Sequence, residues 1–475
     1  MKVKTWLISW LFIVITILGF MGYCVYKVDP YFHYHKPYTD KYFYLLYNQR
    51  SQNSGIARHF EYDTLVTGTS LTEDIYASQV DELFGCKSIK VPFSGGSYKE
   101  VNDLVKIALE ANPELKRVIR CFDMFRFLDE YDLMRTDLGK FPTYLYDKNP
   151  FNDVEYLLNR DVLGRVYQMY IDSGEYEPGI TSFDDYCRWP LDYIYGINEH
   201  CPEGLSNVNI EQEHLSDAEK EIIRKNITMN VTDTVNQYPE VEFYYYYSPY
   251  SIAEWNEWQQ KGMVLKILEA EEYITEMLVA CKNIHLFSFN VRTDIIADMN
   301  NYKDFTHYGE WVNNLIIKWL HDEKYRITKD NYKEFLQQEY DIYATFDYES
   351  INGQNDYEAD YYAAALVNQE LTGAEPIDVL EQKIELIDGK GNLSFTVDLD
   401  KGYNYLVFNL IAKDVKSGFA IDVYNEEGDC IESLEKDSSE LDGQTHQYVI
   451  DLLKYRGVVN VEVSGDAECL YAGIF

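Results

Sequence analysis

The chain opens on an uncharged, apolar run from Thr5 to Tyr26, preceded by Lys2 and Lys4 and closed by Lys27. As a helix, the 21 residues Trp6–Tyr26 would rise about 31 Å, the thickness of a hydrocarbon layer. The run is longer than the apolar region of a cleaved signal, and no small-x-small site precedes Lys27, so one retained transmembrane helix is predicted. Tyr23 and Tyr26 fall where interfacial aromatics belong, and the short basic end predicts N-in, C-out. Beyond it the periodicity changes. Asp63–Gly68 and Lys87–Phe93 are short apolar runs that read as buried strands. Between them Ile75, Val80 and Leu83 recur at helical spacing, with Gly85 as a stop. Val101, Leu104, Val105, Ala108 and Leu109 repeat the helical pattern before Pro113, and Lys116–Met124 supplies a third strand. Strand, helix, strand, helix, strand predicts a parallel sheet covered by helices.

The stretch 144–210 is aromatic, acidic and poorly periodic, and reads as a cap inserted on the sheet. Strands resume at Val241–Ser251 and Lys282–Phe289, separated by a helix near Glu257–Ala280, and Gly309–Leu320 reads as a closing helix. From Gly389 onward short alternating runs (NLSFTVDL, YNYLVFNLIA, FAIDVYN, HQYVIDL, GVVNVEVSG, LYAGIF) are separated by glycine turns. That spacing predicts an antiparallel sandwich of jelly-roll type. The expected organisation is an anchor over 1–27, an α/β domain over 28–340, a linker over 341–375 and a β-sandwich over 376–475.

Charge narrows the partners. Across 475 residues, 80 Asp+Glu outweigh 42 Lys+Arg, a formal net charge of −38. Such a surface repels a phosphate backbone, so nucleic acid is not an expected partner. It would not attract an anionic polymer either. The eight cysteines form no C-x-x-C pair, which leaves out a zinc ribbon and a thioredoxin-like motif. Cys187 with Cys201, and Cys430 with Cys469, could form local bridges, and buried free thiols are the alternative.

Three features carry candidate chemistry. Ser70, in VTGTSLTEDI, stands directly after a buried strand and ahead of a helix, where its hydroxyl would rise above the sheet edge beside free amides. In isolation it would equally serve as a turn or N-cap serine. The SGGS turn, Ser94–Ser97, follows the second strand at the same edge, and Gly95 or Gly96 could offer an amide to a developing oxyanion. Asp304 and His307 lie three apart in YKDFTHYGEW, just before the closing helix, so the carboxylate could fix the imidazole's tautomer. The alternative for this pair is a helix cap and a surface histidine.

Taken together, GTSL after an apolar strand, the glycine turn after the next strand, and D-x-x-H before the last helix resemble the SGNH (GDSL-like) hydrolase superfamily over roughly residues 55–325. The layout is similar to its membrane-anchored branch, the proteins of polysaccharide O-acetylation and teichoic-acid D-alanylation. The resemblance implies an SGNH-type three-layer fold, with Ser70 as nucleophile, His307 as general base, Asp304 as its orienting acid, and the amides of Ser70 and Gly95 or Gly96 as the oxyanion hole. It implies no cofactor and no metal. It further implies a cell-surface or exported polysaccharide as substrate, a membrane-bound O-acyltransferase as partner, and a bacterial, single-pass, extracytoplasmic setting, with the sandwich as a candidate carbohydrate-binding module.

The sequence departs from the family at two places. Thr69 replaces the Asp of the name motif. Asp123, in RCFDM, stands where the third block has its oxyanion-hole asparagine, and an ionised carboxylate there would oppose a developing negative charge. Either Asp123 is protonated or turned away, or Asn102 or Arg120 donates instead, or the hole is reduced. A non-catalytic scaffold in a polysaccharide assembly or export complex is the reading that such a loss would favour. His33 and His35 have H-x-H spacing without a nearby third ligand, Tyr244–Tyr247 read as strand packing, and Asn226, Asn230 and Asn392 are sequons.

Overall fold

The computed structural model describes residues 2–353 apart from 138, 173 and 175, together with residues 363–380, 384–386, 393–411, 418–440 and 443–475. The apolar run is one helix, α1 (Lys2–Val28). Its first two-thirds stands clear of the protein, whereas Val25 and Val28 are buried against the domain.

The α/β domain is built on a six-stranded sheet of β1 (Thr64–Thr67), β2 (Ser88–Lys90), β3 (Arg117–Phe122), β4 (Glu242–Tyr247), β5 (Ile284–Ser288) and β6 (Arg326–Ile327). Their spatial order is β2-β1-β3-β4-β5-β6, the first five parallel and β6 antiparallel. All four residues of β1 are buried, as an apolar run without alternation requires of a strand covered on both faces. The helices that position the site are α2 (Gln49–His59), α3 (Ala77–Phe84), α4 (Tyr98–Ala111), α5 (Arg160–Asp172), α6 (Ile252–Gln260), α7 (Val264–Leu278), α8 (Glu310–His321) and α9 (Ala363–Leu371). The chain steps one way from β1 to β2 and back past β1 to β3. Right-handed crossovers therefore put α3 and α4 on opposite faces. Accordingly α3 packs with α8, and α4 with α2. Sequence reading missed Tyr332–Tyr343, a helix that packs on α7.

The C-terminal strands are β7 (Leu393–Asp398), β8 (Tyr405–Ile411), β9 (Phe419–Tyr424), β10 (Cys430–Lys436), β11 (Thr445–Asp451), β12 (Val458–Gly465) and β13 (Ala467–Ile474). One antiparallel sheet runs β7-β12-β9-β10, and the other contains β13-β8-β11 with the short strands Ile377–Asp378 and Ile384–Leu386 on β13. Phe408, Leu410, Ile421, Val423, Val461 and Val463 fill the space between them. Sequence reading missed β10 because it is a polar edge strand on which only Leu434 is buried.

The two candidate disulfides are not formed; all eight cysteines are free. Cys430 is exposed on the edge strand of one sheet, while Cys469 is buried in the other. Asn226 and Asn230 are buried, their amides donating to backbone carbonyls of Asp129 and Tyr131, which leaves neither open to a glycan; Asn392 lies outside the described residues. Tyr244–Tyr247 are all buried in β4.

The sandwich is seated on α8 and on the insertion. Asn314 of α8 donates to Asp451 Oδ2 at 2.5 Å and to Tyr405 Oη at 3.1 Å. Arg188 of the insertion lies between Glu432 of β10 (2.6 Å) and Glu310 of α8 (3.4 Å), and Lys454 reaches Asp185 at 2.8 Å. Arg188, Glu310 and Glu432 are nearly buried, where a paired charge costs far less than a lone one.

Candidate active site

The turn after β1 begins at Gly68, where the backbone passes so close to its neighbours that an added Cβ would lie 2.8 Å from Thr72 Cγ2 and 3.0 Å from Cys121 Cβ. Ser70 follows as the first residue of a single 3-10 turn, Ser70–Thr72. The turn stands at the C-terminal edge of the sheet beside the point where strand order reverses between β1 and β3, the usual place for a site in an open α/β sheet. Phe93 N–H donates to Gly68 O at 2.9 Å, tying the glycine turn after β2 to the serine turn.

His307 arrives from the other end of the domain, in a loop just before α8. Ser251 Oγ donates to Phe305 O and Tyr302 Oη to Pro249 O, each at 2.7 Å, which pins that loop to the N-terminus of α6. Ser70 Oγ lies 2.7 Å from His307 Nε2. On the far side of the ring, His307 Nδ1 is 2.7 Å from Asp304 Oδ2. Asp304 Oδ1 accepts the amides of Thr306 (2.8 Å) and His307 (2.7 Å), so one carboxylate shapes the loop and orients the imidazole. Burial opposes its charge, but these bonds and the neighbouring His307 prevail and hold the Asp304 carboxyl down at about 2. A carboxylate fixed at Nδ1 puts the ring proton there and leaves Nε2 to accept from Ser70.

The structure thus brings Ser70, Asp304 and His307 together. Among the described residues the amides of Ser70 and Gly95 carry no hydrogen bond, whereas Gly96 N–H is committed to Phe93 O at 2.7 Å within its own turn. Gly95 takes φ +57°, and its carbonyl accepts from Arg126 and Arg135. Neither alternative donor reaches the site: Asn102 donates to Met229 O, and Arg120 is buried with its guanidinium on Asn230 O and Tyr98 O. Asp123 is turned to its own loop, its Oδ1 accepting from Phe125 N–H and from the Tyr250 hydroxyl.

Sequence reading missed the residues that surround the three. Trp189, from the insertion, lies against His307 with ring centroids 4.7 Å apart and ring planes tilted by 38°. Its Nε1–H donates to Glu73, and its backbone N–H to Asp74 Oδ1 at 2.8 Å. Asp74 also accepts from buried Lys303 at 2.7 Å, whose ammonium lies 4.0 Å over the Trp189 ring. Gln49 bridges Ser94 N–H and Glu73 Oε1, both at 2.5 Å. Burial pushes Glu254 of α6 up to about 7, with the charges of Glu257, Asp304 and Asp123 acting in the same sense. Glu73 and Asp74, three and four residues after Ser70, were the legible signal; nothing in the unpatterned insertion marks Trp189. His33 Nε2 meets Asp153 Oδ1 and both ring nitrogens of His35 meet the carbonyls of Lys36 and Tyr26, and among the described residues no group of three metal-ligating side chains occurs.

No protein-family model and no curated protein matches this sequence. Among solved structures, one provisionally described as a platelet activating factor from Streptococcus pneumonia is 13% identical, with 58% of this chain and 91% of that one covered and a TM-score of 0.29. A two-domain esterase active on acetylated mannans is 10% identical over 86% of this chain and 90% of its own, with a TM-score of 0.22. A family 35 carbohydrate-binding module from Clostridium thermocellum is 12% identical, covering 22% of this chain and 98% of its own, with a TM-score of 0.15.

Proposed function

We propose that this chain is a membrane-anchored, extracytoplasmic serine esterase or O-acyltransferase of SGNH type acting on a cell-surface or exported polysaccharide. The observation that carries the chemistry is the line Ser70 Oγ, His307 Nε2, His307 Nδ1, Asp304 Oδ2, with 2.7 Å at each hydrogen bond. The strand order and the placement of Ser70 after the first strand support the SGNH reading. Ser70 Oγ attacks an ester carbonyl while its proton passes to His307 Nε2. The amides of Ser70 and Gly95 receive the oxyanion, and the imidazolium returns the proton to the leaving alcohol. Water or a sugar hydroxyl then attacks the acyl-serine, His307 takes the proton of the attacking group, and as the acyl–Oγ bond breaks the imidazolium returns that proton to Ser70 Oγ. The apolar α1 supports the anchor. The surplus of acid favours a neutral or weakly charged glycan as acyl donor or acceptor.

One observation favours a second reading, a non-catalytic SGNH-fold scaffold of polysaccharide assembly. Asp123 occupies the third-block position and is held by Tyr250, so the hole has two backbone donors without a side-chain one. The two readings separate on one experiment. Full-length chain in detergent is treated with a fluorophosphonate probe, beside Ser70→Ala. Labelling that depends on Ser70 supports the enzyme; no labelling of folded wild-type chain sinks it.

A further inference from the structure

Among the described residues, exposed apolar side chains such as Phe125, Met229 and Tyr340 stand apart from one another, but beyond α1 itself a group of them gathers where α1 joins the domain. Tyr167, Tyr170 and Ile171 project from α5 with 67%, 66% and 51% of their surface open, and Phe151 is 89% open. Tyr42 packs against Tyr170, and Phe43 against Tyr176, which extends the patch across the short strand Phe43–Tyr44. Between α1 and α5 runs a groove of about 710 Å³ lined by Phe20, Tyr23, Cys24, Tyr167, Tyr170 and Ile171 among others. Apolar residues normally found singly on a water-facing surface are here contiguous, a sign of an interaction site.

The length of α1 identifies the occupant. From Thr5, after the last basic residue of the N-terminus, to Gly19 the helix rises about 22 Å. The hydrocarbon layer is about 30 Å thick. Closing that gap takes about five more residues and brings Cys24 to the layer's outer edge. Yet α1 is already against the domain there: a Cβ on Gly22 would lie 3.8 Å from Leu157 Cβ. A bilayer that covers the apolar length of α1 must therefore also reach the side chains of α5 that share the groove. Lys27, three residues beyond Cys24 on α1 and with its ammonium over the Tyr38 ring, supplies a cation at the height expected for phosphate headgroups.

We propose that α5 and the aromatic patch around it form a second, interfacial membrane attachment, with Tyr167, Tyr170 and Ile171 seated among lipid at the boundary of hydrocarbon and headgroups. This rests on the reading of α1 as a membrane anchor. With α1 packed on the domain, a single helix would still let the two tilt and turn together in the bilayer; a second contact fixes which way the serine site faces relative to the membrane.

The test uses the full-length chain, one copy per nanodisc, with the photo-crosslinking residue benzoylphenylalanine in place of Phe12, Tyr167, Tyr170 or Tyr340, the last an exposed residue outside the patch. Lipid adducts at 12, 167 and 170, several-fold above the yield at 340, are the expected result. A lipid adduct at 12 with none above background at 167 and 170 overturns the proposal while leaving the anchor intact. So does crosslinking of 167 and 170 to a second copy in place of lipid when discs hold two. Absence of a lipid adduct at 12 overturns the anchor reading itself, and the proposal with it. Each replacement keeps an aromatic ring at its site, and an unchanged Ser70-dependent probe reaction shows that the domain is folded.

Discussion

Trp189 lies against His307 with 4.7 Å between ring centroids, and its indole N–H is anchored on Glu73, three residues after Ser70. A side chain from an insertion with no regular pattern thus braces the imidazole against the same turn that presents the serine. Trp189→Ala should lower kcat for a p-nitrophenyl ester about 10- to 100-fold, because a loosened base spends less time in line, and should lower stability too, since buried Glu73 loses a donor and Lys303 the ring beneath it. Trp189→Phe, which keeps the ring but loses the donor, should fall between. Equal kcat for all three would remove Trp189 from any positioning role.

Asp304 should matter through its charge. In Asp304→Asn the loop bonds can largely remain, but the imidazolium loses its counter-charge and the tautomer its anchor, so turnover should drop about 10³- to 10⁴-fold. Because the folded carboxyl is held down at about 2 against an ordinary value near 3.8, its contribution to stability is present above pH 4 and lost as pH falls toward 2. Denaturation midpoints of wild type and Asp304→Asn should converge across that interval; parallel curves would contradict the assignment.

At the seam between domains, Arg188 bridges Glu310 and Glu432 with little access to water. Arg188→Met would leave buried Glu310 without its ion-pair partner, while Glu432 keeps Lys454 at 3.3 Å, and should cost about 3–5 kcal/mol. It should also reduce activity, since Trp189 is the next residue. Urea unfolding and ester hydrolysis, measured on the same preparation, check both effects.

Asp451 shows the opposite electrostatics to Asp304. Burial, with Glu310 adding like charge, pushes its carboxyl up to about 8, against the countervailing bond from Leu453 N–H, the charge of Arg188 and the bond from Asn314. Tyr76 and Tyr405 also face this seam. The folded state therefore holds a proton that the unfolded chain releases near pH 4, and stability should fall as pH rises from 4 to 8. Asp451→Asn should flatten that slope and be the more stable protein at pH 8. A thermal-melt series from pH 5 to 8 would reveal an unchanged slope if this is wrong.

Gly95 combines φ +57° with an approach that would put an added Cβ 2.6 Å from Arg135 Nη1. Gly95→Ala should cost about 1–2 kcal/mol from backbone strain alone and displace the guanidinium that holds the glycine turn. Acylation of Ser70 by the fluorophosphonate probe should slow; an unaltered rate would argue that the amide of Gly95 does not face the oxyanion.

The sequence by itself determined the elements whose causes are local. A charge-free run made α1 legible, and the change from helical to alternating spacing separated the α/β domain from the sandwich. The edges Gly68, Gly85 and Gly95 marked turns because the backbone there needs room or a left-handed conformation. Ser70, Gly95, Asp304 and His307 were legible from their places relative to strands and helices. What the sequence could not show depends on neighbours distant in the chain. Only the fold commits Asn102, Arg120 and Asp123 to Met229, Asn230 and Tyr250, since each of those partners belongs to a different segment. Trp189 became part of the site only because an aperiodic insertion is clamped between α8 and β10, and Asp451 took on its raised affinity for a proton only when a strand of one domain met a helix of the other. Local pattern records how a segment buries itself; which groups then share a low-dielectric space is decided by long-range packing, and with it the chemistry of the site.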